Sequence, residues 1–195
     1  LHRVDRRQRQ MCIRDRSRLS GKIHEKSINI LKGLLNNIIN PYEEIPVDFY
    51  LSFEQIYGLV DGDSASVAEI ICILSSLSKR PIKQTIAVTG SINQLGEVQA
   101  IGGVNEKIEG FYRVCDFLDT VKNKGVLIPS SNKDELILIP EIEKSIENGD
   151  FHIYTMDNLD DAIETLILEE GESLEDFYTS SVSYTHLTLP TIYSV

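Results

Sequence analysis

The chain has 195 residues, of which 42% are hydrophobic and 25% are charged, as is usual for one soluble globular domain. No apolar run reaches the ~20 residues that a membrane-spanning helix needs, and no apolar stretch follows the basic N-terminus as in a secretory signal. The three cysteines are odd in number and have no C-x-x-C spacing, which argues against a disulfide framework or a cysteine-based zinc site. We therefore expect a cytoplasmic protein in a reducing compartment.

The net charge of −11 is unevenly distributed along the chain. Residues 1–18 carry seven of the nine arginines and two acids, a net charge of +5. Residues 19–180 carry 12 basic and 28 acidic residues, a net charge of −16. Because a body this acidic repels a phosphate backbone, we expect no broad nucleic-acid binding.

Both ends of the chain differ from its middle. Residues 1–18 have no apolar period, and residues 181–195 are polar and rich in Ser and Thr. Both resemble translated sequencing-adapter read-through, so we interpret them as non-native tails, with disordered arms as the alternative. The predicted domain is then residues 19–180, long enough to bury roughly 68–70% of its unfolded surface without a metal or a disulfide.

The apolar pattern between the tails predicts alternating helices and strands. In chain order it predicts a helix over 23–39, strands over 47–53 and 56–59, a helix over 64–77, two strands over 85–89 and 97–101 around a turn at 90–96, a helix over 104–118, a strand over 125–128, a helix over 140–147, a strand over 151–154 and a helix over 159–168. This alternation is typical of a mixed α/β fold.

The string DGDSAS over residues 61–66 contains the first candidate for chemistry. Ser64 lies at the start of a predicted helix, where unpaired backbone N–H groups carry positive partial charge and can stabilise an oxyanion. The residues alone also allow a simpler role, in which Asp63 or Ser64 only caps the helix. The string is not the G-x-S-x-G elbow of the α/β-hydrolases.

The helix over 104–118 contains the second candidate, Lys107. Val104, Ile108, Phe111 and Cys115 form its predicted buried stripe, and Lys107 lies at the edge of that stripe. Desolvation there lowers the pKa of a lysine, which can then act as a general base. A lysine that extends its ammonium into water is the alternative.

The third candidate, Thr89, ends a predicted strand and could hydrogen-bond a neutral lysine; an ordinary strand-end threonine is the alternative. His24 and His152 fit no Ser–His–Asp order, although sequence alone leaves convergence in space open. The glycines form neither nucleotide-phosphate motif, G-x-x-x-x-G-K-[ST] or G-x-G-x-x-G.

Three stretches together resemble the proteolytic domain of the Lon proteases, most closely the LonB-like branch. They are GLVDGDSASVAE, IAVTGSINQLGEVQAIGGVNEKIEGFYRVC and KGVLIPSSN. Weaker similarity extends the match to about residues 21–168. GDSAS and GGVNEK in this order and at this separation are specific to the family, whereas either one alone is weak. The resemblance implies a mixed α/β fold similar to the second domain of ribosomal protein S5.

The resemblance also implies a Ser–Lys dyad, with Ser64 as the nucleophile and Lys107 as the general base. It implies a supporting threonine at Thr89 and a supporting acid at Asp61, which in some relatives contacts the lysine. The implied oxyanion donors are the backbone N–H groups of Asp63 and Ser64. Asp63 and Ser66 stand where the commoner bacterial branch has Pro and Gly, which favours the LonB-like branch.

Full-length members of this family form rings, usually hexamers, and an ATPase module feeds them substrate by using ATP and Mg²⁺. The resemblance therefore implies unfolded or damaged proteins as substrates and a homo-oligomeric ring, with no cofactor or metal in this chain itself. We expect the chain to be an N-terminally truncated piece of a longer protein whose ATPase lies outside it.

These observations predict a serine-type endopeptidase, the proteolytic part of an ATP-dependent protease. One alternative is a non-proteolytic Lon-like scaffold of a ring ATPase, which would be free to lose Ser64 or Lys107. Another is a Ser–Lys amidohydrolase for small amides, which requires a closed pocket instead of an open peptide groove.

Overall fold

Helices and strands alternate along residues 13–15, 21–39, 49–51 and 61–187, which the computed structural model describes. In chain order the elements are β1 (Ile13–Asp15), α1 (Lys22–Ile39), β2 (Phe49–Leu51), α2 (Ser66–Ser78), β3 (Ile86–Val88), β4 (Ser91–Ile92), β5 (Val98–Gln99), α3 (Val104–Leu118), β6 (Lys124–Pro129), a 3₁₀ helix (Ser130–Glu135), α4 (Pro140–Glu147), β7 (Phe151–Met156), α5 (Leu159–Leu166) and α6 (Leu174–Leu187). This is the mixed α/β fold that the sequence predicts.

The central sheet contains β3, β6 and β7 in that order, and all three strands are parallel. Val88 lies opposite Leu127, which in turn lies opposite Tyr154. The carboxyl ends of the three strands therefore meet at one edge, the edge at which Thr89 follows β3. Sites in open α/β sheets form beyond this edge.

The two faces of the sheet are covered by different helices. Leu127 of β6 lies in a core with buried residues of α1, α2, α5 and α6. Its neighbours Val126 and Ile128 point to the opposite face, where they pack with α3 and α4. The sheet thus separates two hydrophobic layers, with α2 in one layer and α3 in the other.

The two strands predicted on either side of residues 90–96 are present as β3 and β5, but they do not pair with each other. β3 pairs with β6, and the antiparallel partner of β5 is β4, with Ser91 opposite Gln99. Asn93 closes the turn between β4 and β5, because its Oδ1 accepts hydrogen bonds from the N–H groups of Leu95 and Glu97 at 2.9 and 3.0 Å. The chain therefore leaves the central sheet after Val88.

The five predicted helices are confirmed, with each end within two residues of the prediction. Their apolar residues recur at helical spacing, so one stripe of each helix faces a core. α5 also begins with a capping box: the Asn158 side chain accepts from the Asp161 N–H, and the Asp161 carboxylate accepts from the Asn158 N–H. The predicted strand over 56–59 lies outside the described residues.

The ends of the described chain contain elements that the sequence does not predict. β1 lies within residues 1–18 and pairs in parallel with β2. α6 extends to Leu187, beyond residue 180, and buries Phe177 and Ser181. The interpretation of both ends as non-native concerns their origin and stays a prediction. No helix in the described ranges is both long and apolar enough to cross a membrane.

Candidate active site

Ser64 lies in the loop before α2, two residues ahead of the first helical residue, Ser66. Two backbone hydrogen bonds join this loop to the end of β3: the Gly90 N–H donates to Ser64 O at 2.9 Å, and the Val67 N–H donates to Gly90 O at 3.2 Å. Ser64 is therefore held against the carboxyl edge of the central sheet.

Ser66 and Gly90 make this junction possible, a role that sequence reasoning missed. The buried Ser66 Oγ donates to Gly90 O at 3.4 Å and accepts from the Ile92 N–H at 3.0 Å. A Cβ at Gly90 would lie 2.7 Å from Met156 Cε and 3.0 Å from Val67 Cγ2. A side chain at this position would therefore require Met156 and Val67 to shift, and the glycine directly after a predicted strand was the available signal.

Lys107 reaches the same point from the opposite layer. It lies in the first turn of α3, where its N–H donates to the carbonyl of Gly103 at 3.2 Å. Gly103 begins the helix at a φ of 69°, a conformation that favours glycine. Lys107 Nζ lies 2.9 Å from Ser64 Oγ and 3.2 Å from Thr89 Oγ1. The structure thus brings the three predicted side chains together.

The buried stripe of α3 differs in part from the prediction. Val104 and Ile108 are buried as predicted, but the third buried residue is Tyr112, while Phe111 and Cys115 are half-buried. Tyr112 is favoured because its ring packs edge-on against Phe151, with the centroids 5.2 Å apart. With Tyr112 as the third buried residue, Lys107 still lies at the edge of the stripe and is half-buried.

The surroundings of Lys107 favour its neutral form. Burial lowers the pKa of the Lys107 ammonium below its ordinary value, because the charged form loses water, as the sequence predicts. The carboxylate of Asp63 acts in the opposite direction and raises the pKa. Burial is the larger effect, so the net shift favours a lysine that can accept a proton.

Thr89 orients this lysine. The residue is only 8% exposed, and its Oγ1–H donates to Ser64 O at 3.3 Å. A hydroxyl has one proton, so the lone pairs of Thr89 Oγ1 are left to accept an N–H from Lys107. The lone pair of a neutral Lys107 is then free to accept the proton of Ser64 Oγ.

Asp61 lies at the N-terminus of α1 and not at Lys107. Its Oδ1 accepts a hydrogen bond from the Ile23 N–H at 2.9 Å. A carboxylate at this position satisfies a free helix donor and complements the helix dipole. No hydrogen bond or ion pair joins Asp61 to Lys107 within the described ranges, and Asp61 instead ties α1 to the loop that carries Ser64.

The proposed oxyanion donors, the N–H groups of Asp63 and Ser64, precede α2. The carbonyl of Asp63 accepts from the Ser66 N–H at 3.0 Å, which turns the chain into the helix. Neither the Asp63 nor the Ser64 N–H donates to another residue that the structure describes. Both amides therefore have no hydrogen-bond acceptor among the described residues, as an oxyanion donor requires.

The described histidines lie elsewhere. His24 Nδ1 is 3.5 Å from Glu69 Oε1, and both side chains are buried between α1 and α2. In the part of the chain that the structure describes, no histidine hydrogen-bonds Ser64 or Lys107, and no group of three His, Cys, Asp or Glu residues could hold a metal ion. The lysine is the basic group within reach of Ser64.

A serine and a lysine in contact at the edge of an α/β sheet is an arrangement that some hydrolases use in place of a Ser–His–Asp triad. The model of the Lon protease (S16) C-terminal proteolytic domain matches residues 59–169, more than half of the chain. The chain therefore belongs to this family of protease domains, as its motifs predict.

Individual relatives agree with this assignment. A protein of Escherichia coli (strain K12) named as a Lon protease homolog is 41% identical over 155 residues, which cover 80% of this chain and 26% of that protein. A Haemophilus influenzae protein of the same name is 40% identical, with 77% and 25% covered. An archaeal Lon protease of Methanocaldococcus jannaschii is 36% identical, with 61% and 21% covered. The chain spans about a quarter of the length of these relatives.

Proposed function

We propose that this protease domain is a serine endopeptidase that works with a Ser–Lys dyad, in which Ser64 is the nucleophile and Lys107 is the general base. The observation that carries the proposal is the 2.9 Å separation of Lys107 Nζ and Ser64 Oγ, at which a proton can pass between them. The lowered pKa of Lys107 supports the same roles, because a base must be unprotonated when it acts.

The first half of the reaction forms an acyl-enzyme. Neutral Lys107 takes the proton of Ser64 Oγ as this oxygen bonds to the carbonyl carbon of the scissile peptide. The carbonyl oxygen becomes an oxyanion, which the N–H groups of Asp63 and Ser64 stabilise. The Lys107 ammonium then gives its proton to the leaving nitrogen, the C–N bond breaks, and the acyl group remains on Ser64 as an ester.

The second half restores the site. A water molecule gives a proton to neutral Lys107 as its oxygen bonds to the ester carbon. The tetrahedral intermediate collapses, the bond between the carbonyl carbon and Ser64 Oγ breaks, and Lys107 returns the proton to Ser64 Oγ. Thr89 keeps the lysine headgroup aligned in both halves through the 3.2 Å contact.

Trapping the acyl-enzyme tests the proposal. A peptidyl p-nitrophenyl ester should release a burst of nitrophenol and leave its acyl group on the protein. After acid quenching and digestion, mass spectrometry should find the added mass on the peptide that contains Ser64. An acyl group found only on another residue would show that Ser64 is not the nucleophile.

The pH dependence of hydrolysis should follow the neutral fraction of Lys107. Because burial lowers the pKa of Lys107, kcat/KM should rise with pH and level off below the range in which ordinary lysines titrate. The Asp63 carboxylate holds the proton on Lys107, so Asp63→Asn should lower this pKa further and move the rising limb to lower pH.

A pH–rate profile of both proteins measures this shift, with the exposed Asp134→Asn as the control that should leave the profile in place. A profile that moves to higher pH in Asp63→Asn would contradict the role of Lys107 as the base.

We further propose that the chain acts as part of a longer, ATP-dependent protein. The chain spans only about a quarter of the length of its relatives, which supports this proposal. In that protein, an ATPase using ATP and Mg²⁺ would unfold cytoplasmic protein substrates and pass them to a homo-oligomeric ring of these domains. Within this chain, the residues above supply peptide-bond hydrolysis alone.

A further inference from the structure

Asn132 is a fully buried polar side chain outside the dyad, at 0% exposure in the 3₁₀ helix that follows β6. Its Oδ1 accepts from the Ile101 N–H at 3.0 Å, and its Nδ2 donates to Ile101 O at 3.0 Å. The second Nδ2 hydrogen goes to Glu135 Oε2 at 3.0 Å. All the donors of this amide are used, so its orientation is fixed.

The backbone N–H and C=O of Ile101 both hydrogen-bond to the side chain of Asn132. In the described residues, Asn132 is the partner of both the N–H and the C=O of Ile101. The amide thus replaces a neighbouring strand for the segment between β5 and α3. Ile101 is followed by Gly102 and Gly103, which have no side chains that could anchor this segment.

The location of the dyad explains why such an anchor matters. Ser64 precedes α2, whereas Lys107 belongs to α3, and the two helices pack on opposite faces of the sheet. Because α2 and α3 lie in different hydrophobic cores, packing within one core does not determine the position of the other helix. The entry to α3 must therefore be fixed to the carboxyl edge of the sheet, and Asn132, three residues after the end of β6, lies at that edge.

A second asparagine extends the contact. Asn105, in the first turn of α3, accepts from the Ile137 N–H at 3.0 Å and donates to Glu135 O at 3.3 Å. The start of α3 is thus bound on both sides of Gly103 to the segment that follows β6. These bonds set the position of the turn that carries Lys107.

We propose that Asn132 is a positioning residue for the dyad, which holds the Ile101–Gly103 entry to α3 so that Lys107 Nζ stays within proton-transfer distance of Ser64 Oγ. The inference rests on the proposed function. It adds a residue that touches neither the substrate nor the reacting atoms. A displacement of about 1 Å at a reacting group can cost roughly 100-fold in rate, so we expect Asn132→Ala to lower kcat by about that factor with little change in KM.

The test compares Asn132→Ala with Ile142→Val, which removes a methylene from a fully buried residue in the hydrophobic layer that contains Val104 and Ile108 of α3. Both changes remove atoms from a fully buried residue, but only the first removes the hydrogen bonds to Ile101. Two readouts are measured on the 195-residue chain: kcat and KM for a fluorogenic peptide, and the titration of the Lys107 side chain by NMR with labelled lysine. Asn132→Ser, which retains one hydrogen-bonding group, replaces Asn132→Ala where the latter does not fold.

The proposal expects a Lys107 titration that moves toward that of an ordinary lysine in the Asn132 variant and stays unchanged in Ile142→Val. An unchanged titration and kcat in a folded Asn132 variant, or equal changes in both variants, would overturn it. The NMR readout does not depend on turnover. If the unsubstituted chain shows no Ser64-dependent hydrolysis, the proposed function fails, while the titration still decides whether Asn132 positions Lys107.

Discussion

Replacing Lys107 by methionine should lower kcat for peptide hydrolysis by roughly 10³- to 10⁴-fold, because Ser64 then loses the group that accepts its proton. Methionine has a similar length and no charge, so it can occupy the half-buried space without a desolvation cost. We therefore expect a folded protein whose midpoint of urea unfolding is unchanged or slightly raised. Initial rates on a fluorogenic peptide measure the loss.

A second variant tests whether Lys107 acts as a proton acceptor or only through its positive charge, and a third serves as the control. Lys107→Arg retains a cation at this position but has no neutral form near neutral pH, so it should be as inactive as the methionine variant. Lys144→Met alters an exposed lysine of α4 and should leave the rate unchanged. Activity in Lys107→Arg near that of the unsubstituted chain would mean that Lys107 acts by its charge and not as a base.

Replacing Ser64 by alanine should have the largest effect, a loss of roughly 10⁴- to 10⁶-fold in kcat, because no covalent intermediate can form. The Ser64 carbonyl still accepts from Gly90 and Thr89 through the backbone, so the loop keeps its anchors. We expect the free energy of unfolding to change by less than about 1 kcal/mol. Circular dichroism and urea unfolding check the fold.

The matched control is Ser76→Ala, an exposed serine on α2, which should hydrolyse peptide at the unsubstituted rate. Lys107 should titrate in Ser64→Ala as well, since its burial does not depend on the serine hydroxyl. Hydrolysis by Ser64→Ala at a rate close to that of Ser76→Ala would show that Ser64 is not the nucleophile. No hydrolysis by either variant or by the unsubstituted chain would instead favour the non-proteolytic scaffold.

Local physics made much of this fold predictable. Apolar residues at helical spacing determined α1 to α5 within two residues at each end, because a helix buries one stripe whatever its partner. The 3.6-residue period also placed Lys107 at the edge of the α3 stripe, and so predicted the direction in which its pKa shifts. The motifs around Ser64 and Lys107 were enough to identify the family that the comparisons confirm.

Non-local pairing was not predictable in the same way. β3 is short, and nothing within it shows that its partner is β6, nearly 40 residues later, and not the nearer β5. Parallel strands are joined by crossovers, so their register depends on packing between distant elements. α6 was missed because its sequence is polar and carries no strong apolar period, although Phe177 anchors it in the core.

The sequence by itself determined the class of fold, the family and the serine and lysine that form the candidate site. Only the tertiary structure decided that Lys107 Nζ and Ser64 Oγ are 2.9 Å apart, that Asp61 binds the N-terminus of α1, and that Asn132 holds Ile101. The reason is physical: periodicity and motifs record which face of an element is buried, whereas these contacts join residues on opposite layers of the sheet. Their distances follow from how the layers pack at its edge.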